Sequence, residues 1–202
     1  MKTVQWTSAG LLIAATLAAG PAWAAGGLLR FEVNPEQSKV SASVAEPMAM
    51  IRGNAGGAFR ITSGEVEGNP SQVGDTARVK VVIDAASYKT DSEGRDQDVK
   101  ENALEVQKFP TITFESTGLA SAQQNGDTNA NLSLVGRLTL HGVTKDITVP
   151  VAVRLEEGRL VADGSYAFKF EEYGVKRPSK MMGLMTTGDV ATIEFHVVAD
   201  PA

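Results

Sequence analysis

Two alternating apolar runs between Leu132 and Leu155 constrain the fold more than any other feature of this sequence. Every second residue from Leu132 to Leu140, and again from Ile147 to Leu155, is apolar or glycine. This period of two is typical of a β-strand with one buried face. Only residues 141–146 separate the runs, and this short link contains Gly142, so it predicts an antiparallel hairpin. Burial of apolar surface contributes roughly 25 cal/mol per Å², so this long face must be buried against other parts of the protein or against a ligand. The function depends on what buries it.

The rest of the chain repeats the same period of two. Shorter alternating runs begin near Leu29, Val40, Phe59, Val79, Ile112, Leu160 and Ile193. Residues 95–109 form the one predicted helix, with Asp96 or Asp98 as its N-cap, and residues 121–131 form a predicted flexible loop. The sequence lacks the repeated long crossovers that parallel strands need, which leaves an antiparallel barrel or sandwich. We favour an all-β fold, an eight-stranded antiparallel barrel with one short helix, because pairing the first strand with the last removes exposed edges.

Residues 1–24 have the features of a secretory signal peptide. Lys2 precedes a small and apolar run over residues 9–19, and Ala22-Trp23-Ala24 supplies the small side chains that a signal peptidase needs. We therefore expect cleavage after Ala24, export across the inner membrane, and one domain over residues 25–202.

Composition narrows the classes of partner and reaction. The chain has no cysteine, so its fold depends on an apolar core rather than on disulfides. Its net charge of −5 and its scattered Lys and Arg residues argue against a nucleic-acid partner. The sequence contains no nucleophile elbow, no His-Glu-x-x-His pair and no phosphate-binding loop, so we expect no catalytic residues, no metal site and no cofactor.

The histidines and one charged pair have structural interpretations. His141, in the predicted turn, is expected to hydrogen-bond the backbone. His196 is expected to face solvent, and no second ligand near it supports a zinc site. Arg95 and Asp96, at the start of the helix, are expected to anchor it over one end of the barrel; contact with a ligand head group is the alternative.

The methionines beyond the initiator occur in two irregular segments. They are Met48, Met50, Met181, Met182 and Met185. Three interpretations stay open: gap filling under loops, an adaptable lipid-facing mouth or lid, and thioether capture of Cu(I).

Four segments resemble the YceI-like proteins in residues, order and spacing. They are Ile83–Ser87 followed by Thr90, Arg95–Asp96, Phe109–Ser116 and Gly136–Lys145, and the similarity extends from about Asn34 to Val198. The last two segments are the specific ones. The chain departs from the family pattern at Gln37, Ala42 and Glu46, and at Phe170–Gly174, where the family tends to show Arg, two residues, Phe and Gly.

The resemblance implies a lipocalin-like barrel in the bacterial periplasm, without enzymatic activity, that binds a polyisoprenoid or isoprenoid-quinone-type lipid in its interior. The implied partners are this lipid and, transiently, a membrane. A homodimer stays open, and no nucleic acid is expected. The alternative function is a periplasmic stress-response or Cu(I)-binding scaffold that uses the Met-bearing segments, and a barrel-based enzyme ranks third.

Successive residues of a strand face opposite sides of the sheet, so the inward-facing positions supply the candidate ligand-binding residues. This alternation alone does not separate residues that pack in the core from residues that contact a ligand. The candidates are Phe59, Ile61, Ile112, Phe114, Leu134, Leu138, Val149, Val151, Tyr166, Phe168 and Phe195, together with Met48, Met50, Met181 and Met185 from the two irregular segments.

Overall fold

The described part of the chain is built almost entirely from β-strands. The computed structural model describes residues 28–44, 55–68, 77–177, 179–180, 185–186 and 188–202, so the predicted signal peptide lies outside it. No helix within these ranges is long and apolar enough to cross a membrane. The strands are β1 (Leu29–Val33), β2 (Lys39–Val44), β3 (Ala55–Gly68), β4 (Arg78–Lys89), β5 (Thr111–Gln124), β6 (Asn129–Leu140), β7 (Val143–Glu156), β8 (Arg159–Lys169), β9 (Ser179–Lys180), β10 (Met185–Thr186) and β11 (Val190–Pro201).

The helical elements are short. Helix α1 (Glu93–Asp98) continues into a π-helical segment (Val99–Ala103), and a 3₁₀ turn (Phe170–Tyr173) follows β8.

The large sheet closes into a barrel. Its strands follow the order β1-β11-β2-β3-β4-β5-β6-β7-β8, and additional pairings join β11 to β8 and β1 to β3. Strands β1 and β2 share one position in the barrel, because both pair antiparallel with β11 and with β3. The result is a closed antiparallel barrel of eight positions with one short helix, which confirms the predicted fold class.

The central hairpin is present and tighter than predicted. Leu140 pairs with Val143, so the turn consists of His141 and Gly142 alone rather than residues 141–146. Both turn residues have positive φ, 52° and 74°, as in the two-residue turns that match the twist of the flanking strands. The alternating residues of β6 and β7 are buried on one face, as their period predicts.

Two local predictions are wrong. The predicted loop 121–131 is mostly strand: β5 runs to Gln124, β6 begins at Asn129, and the polar residues between Ser121 and Gln124 pair across to residues 130–133. Such residues stay in a ladder because pairing satisfies their backbone groups while their side chains remain in water. The helix starts at Glu93 rather than residue 95, and Ser92 rather than Asp96 or Asp98 occupies its N-cap position.

One end of the barrel is closed by the helical segment. Its buried residues Val99 and Ala103, and Leu104 directly after it, belong to the same apolar cluster as Leu140 at the end of β6 and Phe170 directly after β8. We call this the capped end. A second cluster, centred on residues of β1, β3 and β11, lies towards the opposite end.

Candidate functional site

The barrel interior contains an apolar cavity of about 200 Å³. On β6 its lining runs from Ala130 to Leu138, which is about 26 Å along an extended strand. For comparison, an engineered cavity of roughly 150 Å³ lined by apolar side chains is large enough to bind benzene. The cavity is therefore long, narrow and suited to an apolar chain.

Two glycines shape the cavity wall. A Cβ atom on Gly136 would lie 2.6 Å from the Phe114 ring, and one on Gly164 would lie 2.5 Å from the Phe195 ring. The absence of a side chain therefore lets each aromatic ring approach the neighbouring strand closely. Both rings line the cavity in this position.

The structure brings eight of the predicted binding residues together around the cavity. They are Ile112, Phe114, Leu134, Leu138, Val149, Val151, Tyr166 and Phe195. Their contact with a ligand stays a prediction.

Three other candidates do not line the cavity. Ile61 is 1% exposed and packs within the cluster around Phe31, although Phe31 itself and other members of that cluster line the cavity. Phe168 packs edge-on against Tyr173, with ring centroids 5.1 Å apart, and Phe59 packs against Tyr88. The alternation along the strands assigned these residues to the correct face, but it does not show which inward-facing side chains are enclosed by their neighbours and which border the cavity.

The methionine candidates are not tested by the structure. Met48, Met50 and Met181 lie outside the described residues, and Met185 begins the short strand β10. The Cu(I) interpretation stays a prediction.

The cavity reaches the surface at the end opposite the helix. There its lining includes the exposed residues Asp127, Thr128 and Asn129 of the β5–β6 turn, together with Glu67 and Arg154. We call these five residues the mouth. The alternation of apolar residues does not predict that these five residues line a cavity, because they lie in or beside turns that come together only when the barrel closes.

Two charged side chains at the mouth, Arg154 and Glu67, are paired. Arg154 donates hydrogen bonds to Asp163 and Glu156, each at 2.8 Å, and Glu67 accepts one from Arg30 at 2.9 Å. The pairing leaves no concentration of positive charge at the mouth among the described residues, so the cavity is not arranged to receive a strongly anionic group there.

Asp96 anchors the helix at the capped end. Its carboxylate accepts hydrogen bonds from the Thr90 amide and the Thr90 hydroxyl, both at 2.7 Å, and pairs with Lys89 at 3.0 Å. The Thr90 hydroxyl is the main reason that the pKa of Asp96 lies at about 2; Lys89 adds to this effect, while burial opposes it. The anchoring role is thus confirmed for Asp96. Arg95 pairs instead with Asp91 on the surface.

His141 joins three segments at the same end. Its Nε2 atom lies 3.0 Å from a carboxylate oxygen of Glu105, and its Nδ1 atom lies 3.2 Å from the Tyr173 carbonyl. Both partners are acceptors, so the ring donates from both nitrogens only when it carries two protons. Hydrogen bonds from Lys108 and His141 hold the pKa of Glu105 below its ordinary value. The predicted backbone contact of His141 is confirmed.

His196 lies on the outer surface, as expected, with 43% of its side chain exposed. Its Nδ1 atom lies 2.7 Å from Asp163. Within the described ranges, no group of three or more His, Cys, Asp or Glu side chains is placed to hold a metal ion.

Comparison with known proteins places this chain among related sequences. A family model described as the YceI-like domain matches residues 31–199. A UPF0312 protein of Pseudomonas paraeruginosa is 36% identical over 118 residues, which cover 54% of this chain and 56% of that protein. A UPF0312 protein of Yersinia pestis is 32% identical over 124 residues, covering 61% and 53%. The chain thus spans about half the length of the curated relatives that it matches.

Solved structures show the same fold. BcnA of Burkholderia cenocepacia superposes with a TM-score of 0.67 at 24% identity, covering 82% of this chain and 98% of BcnA. A polyisoprenoid-binding domain of Saccharophagus degradans superposes with a TM-score of 0.63 at 13% identity, covering 86% and 99%. Because the family model spans most of the chain and the barrel is shared, this protein belongs to the YceI-like family.

Proposed function

We propose that this barrel binds the apolar chain of a polyisoprenoid or an isoprenoid quinone and carries it in the periplasm. The observation that carries the proposal is the continuous apolar cavity, which reaches the surface at one end and is closed by the helix at the other. Its shape and chemistry favour binding over catalysis.

Burial alone accounts for tight binding in such a cavity. Each CH₂ group removed from water contributes about 0.8 kcal/mol, so a long chain needs few polar contacts. The ligand class has support from the Saccharophagus degradans domain, which is described as polyisoprenoid-binding and shares the fold.

The location and the partners belong to the same proposal. The predicted signal peptide over residues 1–24 supports export, and a carrier of this kind would contact a membrane transiently to load and unload its lipid. A homodimer remains open.

The test narrows the cavity from inside. Ala162 of β8 lines the cavity, whereas Ala167 on the same strand is exposed on the outer face, so Ala162→Trp and Ala167→Trp make the same change on opposite faces. We expect Ala162→Trp to lower the lipid extracted per folded chain by roughly five-fold or more, because the indole competes for the ligand volume. Ala167→Trp should match the wild type. Native mass spectrometry of protein purified from the periplasm measures the number of lipid molecules bound per folded chain.

Gly164 is a poor site for the same experiment. A Cβ atom there would lie 2.5 Å from the Pro150 carbonyl oxygen as well as from the Phe195 ring, so Gly164→Phe would disturb the backbone. Wild-type protein that is empty when purified, and that stays empty when offered isoprenoid quinones and long-chain prenols, would contradict the proposed function.

A further inference from the structure

A fully buried hydroxyl lies near the end of the cavity that is closed by the helix, which we call the inner end of the cavity. Tyr173, the last residue of the 3₁₀ turn, is 0% exposed, and its hydroxyl has no hydrogen-bond partner among the described residues. Its ring packs edge-on against Phe168, and the Lys145 ammonium lies 5.9 Å from the ring centroid. The side chain is therefore held in place while its polar atom is left unsatisfied.

A second hydroxyl connects this residue to the cavity. Tyr166, on β8, lines the cavity wall. The rings of Tyr166 and Tyr173 both pack against Phe168, with centroids 6.2 Å and 5.1 Å from its own. Burial, and then the nearby Tyr166 hydroxyl, raise the pKa of Tyr173 well above its ordinary value. Tyr173 therefore stays protonated and able to donate.

Counting donors and acceptors shows what the pair lacks. Each phenol has one proton to donate, and a hydrogen bond from one to the other uses only one of the two. In the structure the Tyr173 hydroxyl makes no hydrogen bond to the described residues, and a buried donor without a partner is unfavourable. An acceptor brought by a ligand would satisfy it.

We propose that the hydroxyls of Tyr166 and Tyr173 form a polar subsite at the inner end of the cavity that hydrogen-bonds a neutral oxygen of the bound lipid. This inference rests on the proposed function and adds that the lipid carries a carbonyl or hydroxyl group, as in a prenylated quinone or phenol, and inserts with that end first. Tyr166 contacts the oxygen, and Tyr173 positions Tyr166.

The charges of the lining exclude a phosphate from this subsite. Among the described lining residues Arg154 is the sole Lys or Arg, and it lies at the mouth in contact with Asp163 and Glu156. At the inner end the lining is apolar apart from the Tyr166 hydroxyl, and a charged group buried there would lack a counter-ion.

The test compares two probes that share one prenyl tail. One probe is a prenylated benzoquinone, and the other is the corresponding hydrocarbon without oxygen. Tyr166→Phe should weaken binding of the quinone by roughly five-fold, the size of one lost neutral hydrogen bond, and leave binding of the hydrocarbon unchanged. Tyr88→Phe is the matched control, because Tyr88 is buried at the capped end but does not line the cavity.

Infrared spectroscopy supplies a readout that packing changes would not produce. A carbonyl that accepts a hydrogen bond absorbs at lower wavenumber, so the bound quinone band should be shifted down in the wild type and in Tyr88→Phe. The band should return towards its unbonded position in Tyr166→Phe. Equal quinone affinity and an unshifted band in all three proteins would overturn the subsite while lipid binding itself stands. Failure of both probes to bind the wild type would instead overturn the proposed function.

A second variant tests the unsatisfied state directly. Tyr173→Phe removes the unpaired hydroxyl, so the ligand-free protein should have an unchanged or higher Tm, and its quinone affinity should fall by less than that of Tyr166→Phe. A drop in ligand-free Tm of roughly 3 °C or more would show that the hydroxyl is already satisfied within the protein, and would overturn the proposal.

Discussion

At the scale of single residues, Asp96 determines where the helix lies against the barrel. A carboxylate that accepts two hydrogen bonds from Thr90 and pairs with Lys89 connects the first turn of the helix to the end of β4. The only other acidic residue proposed as a cap, Asp98, instead accepts a hydrogen bond from the Asn102 side chain within the helical segment. The two positions therefore differ in what their removal does.

We expect Asp96→Asn to lower the Tm at pH 7 by roughly 5 °C, and Asp98→Asn to change it by about 1 °C or less. Because the pKa of Asp96 is depressed to about 2, its stabilisation is fully present above the unfolded-state pKa of about 4. It is lost as the pH falls from about 4 to about 2. The Tm difference between wild type and Asp96→Asn should therefore shrink across that range when thermal unfolding is followed by circular dichroism. A difference that is the same at pH 7 and pH 2 would contradict the assignment.

Some residue roles could be predicted from the sequence, and others depend on folding. The backbone contact of His141 followed from its place in a turn, but its second partner, Glu105, is 36 positions away and could not be read from local pattern. The segment Phe170–Gly174 stood out only as a departure from the family pattern. The structure shows what it contributes, namely a buried hydroxyl at Tyr173.

At the scale of elements, β6 carries the clearest relation between sequence and structure. Its period of two predicts which residues face inward, and the observed burial follows that alternation along the strand. Leu138 is 5% exposed and lines the cavity, while its neighbour Arg137 is about half exposed and lies 3.5 Å from Glu115 on the outer face.

Introducing the same charge at these adjacent positions tests the register. Leu138→Asp buries a carboxylate without a partner and should cost several kcal/mol, on the order of 3–5 kcal/mol. Arg137→Asp removes an exposed ion pair and places the new carboxylate between Glu115 and Asp146 on the neighbouring strands, which should cost about 1 kcal/mol or less. Urea unfolding of both variants measures the difference. Equal losses would mean that residues 137 and 138 do not lie on opposite faces of β6, and a larger loss for Arg137→Asp would mean that its register is shifted by one residue.

Elements without strong periodicity were predicted less well. The polar residues of the β5–β6 connection were predicted to form a loop because of their composition. Composition does not reveal that an exposed hairpin can extend through backbone pairing alone. The helix ended earlier than its apolar spacing suggested, since the chain turns after Ala103 and Glu105 adopts a positive φ of 45°. In both cases tertiary context outweighed local propensity.

At the scale of the whole molecule, closure of the barrel creates a site that no single element contains. The first-to-last pairing was predicted because it removes exposed edges, and β11 indeed pairs with β2 and with β8. The boundary between packed core and cavity could not be predicted. It depends on the height of each side chain along the barrel axis, on the glycines beneath Phe114 and Phe195, and on the helix that closes one end.

Filling this cavity should raise the stability of the entire barrel. A ligand that binds only the folded state at about 100 times its Kd stabilises it by about 2.7 kcal/mol, which corresponds to a Tm increase of roughly 5–10 °C for a protein of this size. We expect this increase when the delipidated wild type is titrated with a water-soluble, short-tailed prenylated quinone, with the midpoint shifting as the logarithm of ligand concentration. Ala167→Trp should respond in the same way, because its new side chain lies on the outer face. Ala162→Trp should show little response, since its indole already occupies part of the cavity. If Ala162→Trp responds as strongly as the wild type, the stabilising ligand binds elsewhere on the protein, and the cavity is not its site.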